Sequence, residues 1–181
     1  MTGLLGTSEI NATLTGDKSL SSRPMKRIID PLKEMNVSIS HNEGLLPIKV
    51  FKHKNLHVPI NHTLNVGSAQ VKSCILLAAL NTKGTTKIVE KIPSRDHTEI
   101  MLKYLGANLI KEKNVIKLTS PNFLKPKKLI IPGDFSSAAF VIIAVLLSKK
   151  SKVKLKDVGL NYYRTGLLDV LKKMNANITV K

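Results

Sequence analysis

Four short segments combine residue types that bind phosphate and carboxylate groups, and each stands at the start of a predicted helix. They are residues 16–25 (GDKSLSSRPM), 68–72 (SAQVK), 94–99 (SRDHTE) and 132–137 (PGDFSS). The N-terminus of a helix offers unpaired backbone N–H groups and the positive end of the helix dipole, so it attracts anions. An arginine adds a planar pair of donors that fits carboxylate or phosphate. The segments therefore predict a site for small anionic ligands.

Each segment taken alone also fits a simpler interpretation. Ser68, Ser94 and Ser136 could be plain N-caps of helices. Asp96 and Glu99 could be ordinary acidic residues of a first helical turn, where they favour the dipole. The anion-site hypothesis depends on several such helix starts lying together.

The net charge of +17 also points to anionic partners, and 29 residues are lysine or arginine. Only four residues are arginines: Arg23, Arg27, Arg95 and Arg164. In so lysine-rich a chain they favour special roles in anion binding, and the alternative is that they remain by chance. The excess charge is spread along the sequence, and aromatic residues make up 4% with no tryptophan. This composition argues against a base-stacking platform for single-stranded nucleic acid. A basic module that binds RNA or another polyanion stays open as an alternative.

Other kinds of chemistry find little support in the sequence. The single cysteine, Cys74, lies in an apolar run, which predicts a buried thiol and excludes an internal disulfide. His97 has no second His or Cys at a metal-ligand spacing, so we predict a structural or hydrogen-bonding role and no metal site. Apolar runs fall short of the roughly 18 residues of a membrane helix. We expect no membrane association and a cytoplasmic location.

An internal repeat of about 70 residues organises the chain. Residues 105–109 (LGANL) match residues 174–178 (MNANI) at an offset of 69, and the same offset carries Arg95 onto Arg164. Residues 35–39 (MNVSI) match residues 105–109 at an offset of 70. The spacing predicts a duplicated module of mixed α/β structure.

Hydrophobic periodicity gives the order of elements as helix, strand, helix, strand, strand. The second module has predicted helices at 69–80 and 95–105 and strands at 86–89, 107–110 and 115–118. A strand at 128–131 leads to the third module, with a buried helix at 136–147, a strand at 153–155 and an amphipathic helix at 164–174. The first module has a predicted helix at 20–35, and its buried helix is absent or cut off. The sequence thus predicts an internal piece of a longer protein.

Five ordered motifs along the chain resemble those of the 5-enolpyruvylshikimate-3-phosphate (EPSP) synthase family. They are GDxSLxxRPM at 16–25, SAQVKS at 68–73, SRDHTE at 94–99, PGDxSSAAF at 132–140 and NxxRTG at 161–166. SAQxK, RDHTE and NxxR are similar to the second class of these enzymes, which is associated with glyphosate tolerance. The UDP-N-acetylglucosamine enolpyruvyl transferases share the fold, but the SAQxK and RDHTE segments favour the shikimate enzyme.

The resemblance implies transfer of the enolpyruvyl group of phosphoenolpyruvate to the 5-hydroxyl of shikimate-3-phosphate, with release of phosphate. It implies a two-domain fold of pseudo-threefold α/β units, no metal or organic cofactor, and a monomeric full-length enzyme. Residues 1–131 would form most of the shikimate-3-phosphate-binding domain, and residues 132–181 would begin the second domain.

Residue roles follow from the resemblance at matching positions only. Ser68, Ala69, Gln70 and Arg95 would bind shikimate-3-phosphate, while Arg23 and Gln70 would bind phosphoenolpyruvate. Arg164 would have a structural role. The family's proton-handling carboxylates find no match within the chain, so we expect no catalytic residue here and no activity from this piece alone.

Overall fold

The computed structural model describes residues 1–52, 56–121 and 123–180, which form both helices and strands. The α-helices are α1 (Thr2–Gly6), α2 (Lys18–Ser21), α3 (Lys26–Glu34), α4 (Ala69–Ala79), α5 (His97–Tyr104), α6 (Phe135–Leu147) and α7 (Gly166–Lys173). The strands are β1 (Ala12–Leu14), β2 (Ser38–Asn42), β3 (Leu45–Phe51), β4 (Asn61–Leu64), β5 (Gly84–Glu90), β6 (Leu109–Glu112) and β7 (Val115–Ser120). A 3-10 helix spans Tyr162–Arg164. The predicted mixed α/β class is confirmed.

The chain forms two units, and both sheets belong to the first. The first unit comprises Met1–Ser94 and Thr98–Pro126, and the second comprises Arg95–His97 and Lys127–Lys181. One sheet has three antiparallel strands in the order β1-β3-β2. The other has the order β4-β5-β7-β6, in which β4 runs parallel to β5 and the remaining pairs are antiparallel.

The 70-residue repeat reappears as the same helix ending in three places. Asn36, Gly106 and Asn175 follow α3, α5 and α7 with φ angles of 61°, 92° and 58°. Glycine and asparagine are the residues that adopt this left-handed conformation most readily, and it ends a helix. The three positions are separated by the offsets read from the sequence, so the repeat is structural.

A leucine anchors each of these helix ends. The N–H of the residue after the left-handed position donates to a carbonyl five residues earlier, at 2.9, 2.9 and 3.0 Å. The carbonyls belong to Leu32, Leu102 and Leu171, all of which are buried. A Schellman motif has two hydrogen bonds, and this is the one that joins residues farther apart in the sequence. In each module, the chain therefore leaves the helix at a point that is fixed by a buried leucine.

The buried helix predicted for the second module is confirmed as α4, which lies in the larger hydrophobic core. Seven of its 11 residues are buried, and it contacts α1, α3, β5 and β7. Cys74 is buried in this helix, as predicted, and loss of hydration raises the pKa of its thiol to about 11. Small and apolar side chains on several sides explain why the helix can be covered almost completely.

The first module retains a short buried helix, which corrects the expectation that this helix is missing. Helix α1 packs on α4, and Thr2, Gly3 and Gly6 are buried. Five residues are too few to show a helical period, so the sequence pattern could not reveal it. A Cβ atom on Gly3 would lie 2.0 Å from the carbonyl oxygen of Cys74. The close approach of α1 to α4 therefore requires glycine at this position.

We expect Gly3→Ala to lower the free energy of unfolding by about 1–3 kcal/mol, because the methyl group must push α1 from α4. Gly166→Ala is the matched control, since nothing lies within 4 Å of a Cβ atom at Gly166. That substitution should be neutral or stabilise by about 0.4–1 kcal/mol. Urea unfolding of both variants measures the difference. Equal stability of the two variants would contradict the close packing of α1.

Three predicted elements differ in the structure. The helix predicted at 20–35 is divided into α2 and α3 around Pro24, whose ring disfavours helical backbone before it. Residues 128–131 and 153–155 were predicted as strands but join neither named sheet of the described chain. A strand is defined by a paired neighbour, which an apolar run cannot supply by itself.

The second unit contains α6, the 3-10 helix and α7. The buried helix predicted at 136–147 forms as α6, but the prediction of its burial is wrong, because Phe135 is its one buried residue. Asp134 caps α6 by accepting a hydrogen bond from the Ser137 N–H at 3.1 Å. Among the residues that the structure describes, no helix has both the length and the apolar character that crossing a membrane requires.

Candidate anion site

The N-terminus of α4 holds three of the sequence-predicted ligand residues, Ser68, Ala69 and Gln70. Ser68 is the N-cap, and its hydroxyl accepts a hydrogen bond from the Val71 N–H at 3.4 Å. Ala69 and Gln70 form the first turn, where backbone N–H groups have no carbonyl partner within the helix. The positive end of the α4 dipole lies at the same place. This arrangement can bind an anionic oxygen atom.

A side-chain contact brings the start of α3 beside the start of α4. Nη2 of Arg27 donates to Oε1 of Gln70 at 2.9 Å, although the two residues are 43 positions apart. Both side chains are exposed. The contact adds a guanidinium group to the anion-binding end of α4, and the sequence analysis had given Arg27 no role beyond being an arginine.

Arg23 is held in the junction between α2 and α3 by local hydrogen bonds. Asp17 caps α2 by accepting from the Leu20 N–H at 2.7 Å, and the Arg23 N–H donates to the Leu20 carbonyl at 3.1 Å. Two residues later, the Met25 N–H donates to the carbonyl of Gly44 at 2.7 Å. The pattern of residue types in GDxSLxxRPM thus has a local explanation: it builds a capped turn that presents an exposed arginine just before α3.

A buried ion network surrounds Lys72, which follows Gln70 by two residues in α4. Lys72 is 0% exposed, and its Nζ lies 3.1 Å from Glu90 Oε1 and 2.7 Å from Glu99 Oε1. The contact with Glu99 is an ion pair without a well-directed hydrogen bond. Lys111 approaches the same Glu99 oxygen at 3.6 Å. Glu99 is therefore a buried ion-pair partner, which corrects its interpretation as an ordinary first-turn charge.

Ser94 joins this network and is not the N-cap of α5, which begins at His97. Its hydroxyl and its N–H donate to Glu90 Oε1 at 2.5 and 3.2 Å. Its carbonyl accepts from Lys72 at 3.4 Å. A 2.6 Å hydrogen bond between the Ser73 and Thr98 hydroxyls links α4 to α5. The SRDHTE segment is thus fixed at both ends to α4 and to the end of β5.

This network was not predicted from the sequence, although the sequence of α4 contains a usable signal for it. Lys72 is the one charged residue of α4, in a helix whose other residues are almost all small or apolar. A lysine there must be buried, and a buried ammonium group needs carboxylate partners.

The middle of SRDHTE, Arg95 to His97, belongs to the second unit. Asp96 accepts a hydrogen bond from the Asn161 side chain at 2.8 Å, so two of the five motifs meet in that unit. Arg95 is partly buried. Its assigned role as a phosphate ligand stays a prediction.

Arg164 forms an ion pair with Asp134 at 2.6 Å and also donates to the Ser136 hydroxyl. These contacts agree with the structural role expected for it. Asp134, and not Ser136, is the N-cap of α6. Loss of hydration acts to raise the pKa of Asp134, but hydrogen bonds from Ser137 and Ser136 and the charge of Arg164 lower it overall. The N-terminus of α6 is therefore occupied by the chain's own carboxylate.

Among the described residues, no three His, Cys, Asp or Glu side chains gather in a way that could hold a metal ion.

The matches to known proteins cover all or nearly all of the chain. The family model described as EPSP synthase (3-phosphoshikimate 1-carboxyvinyltransferase) matches residues 1–181. A 3-phosphoshikimate 1-carboxyvinyltransferase of Streptococcus pyogenes serotype M49 (strain NZ131) is 47% identical over 178 residues, which cover 97% of this chain and 42% of the relative. The enzyme of the same name from serotype M3 (strain ATCC BAA-595 / MGAS315) is also 47% identical, with 97% and 41% covered.

A solved structure of EPSP synthase from Acinetobacter baumannii superimposes with a TM-score of 0.87 at 38% identity, covering 99% of this chain and 41% of that one. The chain therefore spans about two fifths of the length of the proteins it matches.

Proposed function

The chain belongs to the EPSP synthase family, and we propose that it carries the shikimate-3-phosphate site of a 3-phosphoshikimate 1-carboxyvinyltransferase. That reaction moves the enolpyruvyl group of phosphoenolpyruvate to the 5-hydroxyl of shikimate-3-phosphate and releases phosphate. Curated relatives bearing the shikimate enzyme's name support this reaction over that of the UDP-N-acetylglucosamine transferases.

One observation carries the proposal: the capped start of α4 lies inside the SAQVKS motif and beside an arginine. Ser68, Ala69 and the amide of Gln70 bind shikimate-3-phosphate in this proposal. The helix end supplies backbone donors and the Ser68 hydroxyl adds another, which suits a phosphate or a ring hydroxyl. Arg95 contributes to phosphate binding through its match to SRDHTE.

Phosphoenolpyruvate is the second ligand of the proposal, with Arg23 and Gln70 as its contacts. An exposed guanidinium on a capped turn can grip a carboxylate or phosphate with two parallel hydrogen bonds, which a lysine cannot do. We assign residues 1–131 to the shikimate-3-phosphate-binding domain and 132–181 to the start of the second. The reaction requires no metal or organic cofactor, and a cytoplasmic monomer is the proposed state of the full-length enzyme.

Calorimetric titration of the 181-residue chain with shikimate-3-phosphate tests the proposal. We expect one-to-one binding that is at least about tenfold tighter than that of shikimate or inorganic phosphate, because the site recognises both parts of the ligand. Arg95→Ala should weaken binding by about tenfold or more, because a charge-assisted hydrogen bond is lost. Circular dichroism shows whether the variant is folded.

A different result would identify a different function. Salt-sensitive binding of an RNA oligonucleotide that displaces shikimate-3-phosphate would favour the basic polyanion module. A folded chain that binds neither shikimate-3-phosphate nor its two controls would overturn the proposed site.

A further inference from the structure

The hydrogen bond between Arg27 and Gln70 joins two exposed side chains at the rim of the proposed site. Arg27 is the second residue of α3, and Gln70 is the second residue of α4. Neither side chain belongs to a hydrophobic core cluster. Exposed polar pairs contribute little to stability. The contact therefore contributes more to the site than to the stability of the fold.

The chemistry of the two groups fixes which way the Gln70 amide faces. A guanidinium has N–H donors and no acceptor, whereas a glutamine amide has an oxygen acceptor and an NH2 group with two donors. The atom of Gln70 that meets Arg27 must therefore be Oε1, as the structure has it at 2.9 Å. The two N–H groups on Nε2 are then turned from Arg27, and within the described residues no other partner takes them, so a ligand can accept from them.

This orientation matters because an unrestrained amide can present either its oxygen or its nitrogen. A carboxylate or phosphate oxygen accepts hydrogen bonds only, so an amide oxygen facing it would repel it. Holding Oε1 on Arg27 removes the unfavourable orientation before the ligand arrives. Such preorganisation strengthens binding without a new contact to the ligand.

We propose that Arg27 is a positioning residue that orients the Gln70 amide so that the site presents hydrogen-bond donors to an anionic substrate. The inference rests on the proposed function, since it assumes that Gln70 contacts the substrate. It adds a specificity role for a residue outside the predicted ligand set. Arg27 acts through Gln70, and its charge attracts the ligand only as a secondary effect.

A double-mutant cycle in the full 181-residue chain tests the proposal, with the dissociation constant for shikimate-3-phosphate as the readout. The variants are Arg27→Met, Gln70→Ala and the two combined. We expect Arg27→Met to weaken binding about tenfold, equivalent to 1.4 kcal/mol. In the Gln70→Ala background the same change should weaken it less than about twofold, because the amide that Arg27 orients is gone.

Lys26→Met is the matched control, because it removes one exposed positive charge from the adjacent position of α3. It should change the dissociation constant less than about twofold. Arg27→Lys keeps the charge and a donor, so it should restore part of the lost affinity. The Lys26→Met result is the one that separates orientation of Gln70 from general attraction of an anion.

The outcomes are distinct. Losses that multiply in the double variant, or a Lys26→Met effect as large as that of Arg27→Met, would overturn the positioning role and leave the proposed function standing. Failure of the wild-type chain to bind shikimate-3-phosphate would overturn the proposed function and this inference with it. If Arg27→Met weakens binding only where Gln70 is present, and not in the Gln70→Ala chain, the positioning role is established.

Discussion

Lys72→Met is expected to lower the free energy of unfolding by about 3–5 kcal/mol, the largest effect that the structure predicts. The methionine side chain fills nearly the same space, so the loss comes from charge. Glu90 and Glu99 would remain buried without the ammonium group that lies 3.1 and 2.7 Å from them. Glu99 would retain Lys111 at 3.6 Å, while Glu90 would lose its only ion-pair partner among the described residues.

Urea unfolding followed by circular dichroism measures this loss. Lys103→Met is the matched control, because Lys103 is an exposed lysine of α5. The control should stay within about 0.5 kcal/mol of the wild type. If Lys72→Met instead unfolds at the wild-type urea concentration, the buried network does not hold α4 to β5 and α5.

Ile75→Ala is expected to lower the free energy of unfolding by about 2–5 kcal/mol. Ile75 is 0% exposed and lies in the part of α4 that contacts the larger core. Removing its three outer carbon atoms takes apolar surface out of contact and leaves a cavity that tight packing on several sides cannot close.

Ile100→Ala provides the comparison within the same unit. Ile100 is also helical, but the residue is 56% exposed, so its truncation should have an effect of about 0.5 kcal/mol or less. Thermal or urea unfolding of the pair shows the difference. Equal losses from the two substitutions would mean that α4 is not the centre of the core.

The repeat was predictable from the sequence because it depends on residue types that act locally. Asn36, Gly106 and Asn175 recur at the spacing of the modules, and each ends a helix in the left-handed conformation. The buried helix α4 was equally readable from its continuous small and apolar residues. Ser68 was readable as a cap because the serine stands directly before that run.

Contacts between distant parts of the chain could not be predicted in this way. The Lys72 network joins residues 18 and 22 positions apart in the sequence, and the Arg27–Gln70 bond joins residues 43 apart. A local sequence pattern does not show which helix termini will lie close together in the fold. The strands predicted at 128–131 and 153–155 failed for the same reason, since an apolar run does not reveal its pairing partner.

The central claim is that the start of α4 in the first unit binds shikimate-3-phosphate. Proton–nitrogen correlation NMR of the labelled chain, with and without this ligand, tests it most directly. We predict that the largest shift changes fall on the backbone amides of residues 68–71 and on the side chains of Gln70 and Arg27. Shift changes spread over the lysines of 149–156, with residues 68–71 unmoved, would contradict the claim.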